Sequence, residues 1–122
     1  MGYHDKIMPR RPVSVTELAG YKRRANALLT EAEQDAVVDL IAYDPASGDL
    51  IPGTGGLRKL RIGLGGSGKR GGARVIYYFY NEDVPILLMA IYAKNEKADL
   101  SERDKKESVR YAKEFVAQWR RK

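Results

Sequence analysis

Residues 53–80 read GTGGLRKLRIGLGGSGKRGGARVIYYFY. Two strand-like pieces, 57–62 (LRKLRI) and 73–80 (ARVIYYFY), flank a glycine-rich basic loop and read as a hairpin. Alternate side chains of a strand share a face. Lys59 and Arg61 therefore fall on one side of the first piece, and Leu60 and Ile62 on the other. In the second piece Arg74, Ile76 and Tyr78 oppose Val75, Tyr77 and Phe79.

The same stretch holds the charge. No Asp or Glu occurs between Asp49 and Glu82, whereas Arg58, Lys59, Arg61, Lys69, Arg70 and Arg74 all fall there. These six bases equal the whole net charge of +6, leaving 16 of the 22 bases to face 16 acids elsewhere. An excess focused on one segment is the footprint expected of a polyanion site.

At 122 residues the chain suits one domain with a modest core. Zero cysteines exclude disulfides, thiolate zinc sites and cysteine nucleophiles. The lone histidine, His4, has no second ligand nearby, so no metal site is expected there. No apolar run is long enough to span a bilayer, and no apolar core follows Arg10 and Arg11 to make a secretory signal. A cytoplasmic location is expected.

Residues 1–11 read as a polar tail and 12–122 as a single domain. Residues 13–16 suit a short edge strand behind Pro12. Residues 18–29 make a first helix, with Tyr21, Ala25, Leu28 and Leu29 as its apolar stripe. Thr30 and Glu33 form a capping box that starts a second helix, buried through Ala36, Val37, Leu40 and Ile41 and stopped by Asp44-Pro45. Residues 84–94 form a last strand, apolar almost throughout and so central, on which Lys94 shares parity with Tyr92 and Ala90 while Met89 and Ile91 point the other way. Ser101 caps a final helix whose stripe is Ser108, Ala112, Phe115, Val116 and Trp119. The order is β-α-α-β-β-β-α. The helix pair returns the chain to its starting end, so the expectation is an α+β fold with a small, wholly antiparallel sheet and helices packed on it.

Two nucleotide motifs match by letter and fail by context. Gly63, Gly65 and Gly68 fit G-x-G-x-x-G, and with Lys69 the run fits G-x-x-x-x-G-K. Arg70 stands where a P-loop needs Ser or Thr, and a strand follows where both motifs need a helix. A magnesium nuclease needs carboxylates, which the basic segment lacks. What remains is clustered cations. Lys59, Arg61, Arg74 and Lys94 converge on one face if the three strands are neighbours, with Lys69 and Arg70 on the loop above. Such a cluster binds phosphate, and it can also cleave RNA. A 2′-hydroxyl attacks the adjacent phosphate, arginines stabilise the developing charge, and a lysine crowded by cations serves as general base. No cofactor is needed. Tyr78 and Tyr92 are candidates to stack on bases or, more simply, to fill the sheet face.

The strings GTGGLRKLR (53–61), GKRGGARVIYYF (68–79) and IYAKNEKADLSERDKK (91–106) resemble the RelE-like toxins of type II toxin–antitoxin modules, most closely the HigB-type branch. The resemblance implies a RelE/ParE-like fold and ribosome-dependent cleavage of mRNA that inhibits translation. It also implies a cognate antitoxin, in this branch usually a helix-turn-helix DNA-binding protein through which the complex reaches operator DNA. Carried over residue by residue, it assigns catalysis to Lys59, Arg61, Arg74 and Lys94. Loop residues Lys69 and Arg70 belong to the HigB-type pattern and are read as RNA-binding. Two positions depart from the family: Asn95 replaces a second arginine, and Ala98-Asp99-Leu100 occupies the place of a stacking tyrosine. The rival expectation is a degenerate toxin, a basic module that binds RNA or antitoxin without cleaving.

Overall fold

The computed structural model describes residues 11–64, 72–97 and 99–121. The chain runs β1 (Val15–Glu17), α1 (Ala19–Leu28), α2 (Glu31–Tyr43), β2 (Asp49–Leu50), β3 (Leu57–Ile62), β4 (Ala73–Tyr78), β5 (Ile86–Ala93) and α3 (Glu102–Arg120). The five strands form one sheet in the order β1-β5-β4-β3-β2. His4 and loop residues Lys69 and Arg70 lie outside the described residues.

The α+β fold and the β3–β4–β5 meander agree with the pattern read from the sequence. The pairings β2–β3, β3–β4 and β4–β5 are antiparallel, but β1 runs parallel to β5. The expectation of a wholly antiparallel sheet is corrected here, and the cause is β2. This two-residue strand adds one reversal between the helix pair and β3, which flips the direction of every later strand relative to β1. A second correction concerns β5. Ile76 pairs with Ala90 and Tyr77 with Leu88, so Met89 is an extra, bulged residue. The bulge brings Met89 onto the same side as Ala90 and Tyr92.

Helix starts obey their local signals. The Thr30 side chain accepts from the Glu33 N–H at 3.1 Å while Glu33 accepts from the Thr30 N–H at 2.8 Å. The Ser101 hydroxyl accepts from the Asp104 N–H at 3.1 Å, and Glu102 and Asp104 place negative charge in the first turn of α3. The stripe of α2 is rotated from expectation. Gln34, Val37, Ile41 and Ala42 are buried, while Leu40 is 44% exposed. Gln34 can take an inner position because it accepts from Lys22 at 2.9 Å and donates to Asn26 at 3.1 Å on α1.

Each face of the sheet carries its own core. Tyr21, Ala25, Val37 and Ile41 from α1 and α2 pack on Leu60, Val75, Tyr77, Leu88 and Ile91. Ala112 and Val116 of α3 pack on Leu57, Ile76, Tyr78, Leu87 and Tyr92. Half-buried Phe115 and Trp119 stack at 5.9 Å, and the Trp119 indole donates to the Asp83 carbonyl at 3.1 Å. At the end of the β3–β4 hairpin, Gly72 has φ +59° and an added Cβ would stand 2.0 Å from the Ile62 carbonyl oxygen. Only glycine fits that closure.

Candidate active site

The site begins with strand register. Lys59 and Arg61 occupy alternate positions of β3, on the face that α3 covers elsewhere. Arg74 faces the same way from β4 and is paired directly with Arg61. Directly opposed residues bring their Cβ atoms to about 4.5–5.5 Å, where like charges destabilise a sheet. Two opposed arginines break a local rule of stability, and such violations concentrate at functional sites. Arg58, on the other parity, turns away and donates to the Gly48 carbonyl at 2.7 Å. It is a brace for the loop before β2 rather than part of the cluster.

Helix α3 leaves the β2–β3 end of this face open. An open cleft of about 540 Å³ lies there, lined by Asp49, Ile51, Lys59, Arg61, Asp99 and Lys105. The Ser101 cap sets the height at which α3 begins, and Lys105, whose N–H donates to the Ser101 carbonyl at 2.9 Å, hangs over the cleft from the first full turn.

Each cleft cation holds a carboxylate. Lys59 Nζ meets Asp99 Oδ1 at 2.9 Å, Arg61 Nη1 meets Asp49 Oδ2 at 3.6 Å, and Lys105 Nζ meets Glu102 Oε2 at 2.7 Å. The Lys59 hydrogen bond holds the Asp99 carboxyl below the usual carboxylate range, and Lys105 does the same for Glu102. The charged group that Lys59 touches is thus a carboxylate, not the crowd of cations expected from the sequence. Exposed pairs of this kind contribute about 0–1 kcal/mol, so a phosphate can exchange for the carboxylate at small cost.

Arg74 is only 8% exposed, and its Nη1 donates to the Ala73 carbonyl at 3.3 Å. Its neighbour on β5 is Tyr92. Burial pushes the Tyr92 hydroxyl up, the Asp99 charge adds to this, and the Arg74 charge opposes it. Tyr92 and Tyr78 are each 3% exposed. The Tyr78 hydroxyl donates to the Gly55 carbonyl at 3.2 Å. Both rings share the parity of Ile76 and lie in the core with α3, the core-filling role that the sequence offered as the simpler of the two readings.

Lys94 opens the turn after β5, exposed, with its N–H donating to Gly72 at 3.0 Å. It stands at the sheet end beside the hairpin closure and is not among the residues lining the cleft. Glu96 pins that turn. It accepts from the Ala93 N–H at 3.1 Å and from Arg24 of α1 at 2.6 Å, and these two, the backbone donor first, hold its carboxyl below the usual range. Among the described residues no three His, Asp or Glu side chains gather closely enough to hold a metal ion. Reading the sequence missed Lys105, Asp49, Asp99 and Glu102. The cap signal at Ser101 fixes where α3 starts, but only the folded chain shows which strand its first turns meet.

The fold and the cleft together describe a small α+β protein with a cation-lined cleft on one sheet face. Residues 21–122 match the family model described as the RelE toxin of the RelE / RelB toxin-antitoxin system. The chain belongs to this family and is a toxin of the toxin–antitoxin class, with an antitoxin as its implied partner. No helix among the described residues is long and apolar enough to cross a membrane.

Proposed function

We propose that this toxin is a metal-independent endoribonuclease that cuts mRNA on the ribosome and so inhibits translation. The observation that carries the reading is the direct pairing of Arg61 with Arg74, with Lys59 two residues along on the same face. This arrangement suits a phosphodiester whose charge grows during reaction. Lys59 and Arg61 bind the phosphate and help activate the 2′-hydroxyl. The 2′-oxygen bonds to phosphorus and its proton leaves to a base. The P–O5′ bond breaks, and the departing oxygen takes a proton. The products are a 2′,3′-cyclic phosphate and a 5′-hydroxyl end, with no oxidant or water consumed. Arg74 stabilises the developing charge, an effect of about 10²–10³ in rate when one such donor is lost. Lys94, with Lys69 and Arg70, holds the RNA backbone. The HigB-type strings favour a helix-turn-helix antitoxin through which the complex meets operator DNA.

The test is induction of the gene in a bacterial host with mapping of mRNA 5′ ends. Growth arrest with cuts inside translated frames is expected. Arg74→Ala and the exposed Arg61→Ala should each lose toxicity, and the second keeps the test sound if burial of Arg74 makes the first unstable. Full toxicity of folded Arg61→Ala and Arg74→Ala proteins overturns the reading. The three carboxylates on the cleft cations favour one rival, a basic module that binds without cleaving. Analysis of RNA ends decides, because a cyclic phosphate demands chemistry.

A further inference from the structure

The cleft does not end at Lys105. A second groove, about 480 Å³, runs on from it between the loop before β3 and α3. Pro52, Glu102 and Lys105 line both. Beyond them the groove is lined by Lys106, Arg110 and Lys113 of α3, over half-buried Val109. The three cations stand at i, i+4 and i+7, which aligns them along one side of the helix. All three side chains are exposed, and among the described residues none is in an ion pair, unlike the three cations of the cleft. With Lys105 they set four cations against two carboxylates, Glu102 and Glu114, and Glu102 is already held by Lys105.

From this geometry we infer that the α3 groove is a track for single-stranded RNA, binding the phosphates that flank the one held at Lys59 and Arg61. Seven residues of helix rise about 10 Å, and a stacked strand rises about 3.4 Å per nucleotide, so Lys106 to Lys113 serves roughly three phosphates. The inference rests on the proposed RNA chemistry for its ligand. It goes beyond that reading in assigning a contiguous second subsite. Continuity with the cleft is what favours a polynucleotide over an acidic protein segment, since one strand lies in both without a break. Val109 and Pro52 give the wall apolar surface against which sugars and bases rest.

The test uses the full chain and 2′-O-methyl RNA, which binds but has no free 2′-hydroxyl to attack. Affinities for a 3-mer and a 12-mer are measured by fluorescence anisotropy across a salt series. The variant carries Lys106→Gln, Arg110→Gln and Lys113→Gln; the control carries Arg11→Gln, Arg23→Gln and Arg121→Gln, exposed positions that line neither groove and give the same change of net charge. Single-strand binding loses about 0.7 in log–log salt slope per phosphate contact, so the track variant should lose about 2 in slope for the 12-mer. Its 12-mer affinity should fall at least tenfold while the 3-mer is unchanged. The control should leave the slope unchanged. An unchanged 12-mer slope in the track variant overturns the inference and leaves an acidic partner segment as the occupant. An equal loss in the control also overturns it, because net charge alone would then explain the binding. A wild-type protein that binds the 12-mer but cuts no mRNA would sink the cleavage reading while leaving the track intact.

Discussion

The two faces of this sheet are built from the same strands and put to opposite uses. On the α1–α2 face every β3 and β4 position that reaches the core is apolar or, for Tyr77, fully hydrogen-bonded. On the α3 face apolar residues stop partway, and Lys59, Arg61 and Arg74 take the next positions. Alternation lets one strand serve both faces at once. Stability and the proposed chemistry are therefore separable side by side rather than along the chain, and substitutions one residue apart should fail in different ways.

The largest expected effect lies on the closed face. Leu88→Ala removes a fully buried side chain from the core with the helix pair. Such truncations cost about 2–5 kcal/mol, a large share of an ordinary stability of about 5–15 kcal/mol. Urea unfolding measures it, and a loss under about 1 kcal/mol would show that this face is not the main core. Arg61→Ala, on the open face, should change stability by no more than about 0.5 kcal/mol yet lower the rate of RNA cleavage by about 10²–10³. If it unfolds the chain instead, the separation between faces is wrong. Tyr77→Phe comes next. The hydroxyl donates to the Pro45 carbonyl at 2.6 Å and accepts from the Gly48 N–H at 2.8 Å. Its loss leaves the buried N–H unsatisfied at a cost of about 1–3 kcal/mol, read in the same urea series with cleavage unchanged.

How far the sequence revealed this division depends on the range of each signal. The β3–β4 hairpin, the Thr30 capping box, the Ser101 cap and the parity of Lys59, Arg61 and Arg74 are local patterns, and all are seen in the fold. Strand β2 has two residues and no period to detect, yet it sets the parallel pairing of β1 with β5. The bulge at Met89 is a register event between strands, invisible along one of them. The window without acids was also a local reading. Asp49, Asp99 and Glu102 enter the cleft from outside it, with Asp99 forty residues from its partner Lys59. Burial of Tyr78 and Tyr92 depends on where α3 lies, which strand parity alone does not state.

The open face is partly neutralised by its own carboxylates. Asp99 holds the Lys59 ammonium, which on the proposed reading binds a phosphate, so Asp99→Asn should raise affinity for a short RNA by a few-fold, within the range of about 0–1 kcal/mol for an exposed pair. The sign of the pH dependence follows from the same contact. The Lys59 hydrogen bond favours the charged carboxylate, so Asp99 titrates lower in the folded chain than in the unfolded one. Its contribution to folding is complete above the unfolded value of about 3.9 and is lost as pH falls through the folded value. Between pH 7 and 5 the pair should therefore stay closed, and RNA affinity should not rise from this source. An NMR titration of the Asp99 carboxyl carbon reads it directly. A midpoint at or above the ordinary aspartate value would mean that Lys59 does not hold Asp99 in solution, and that the cleft is as open electrostatically as it is in shape.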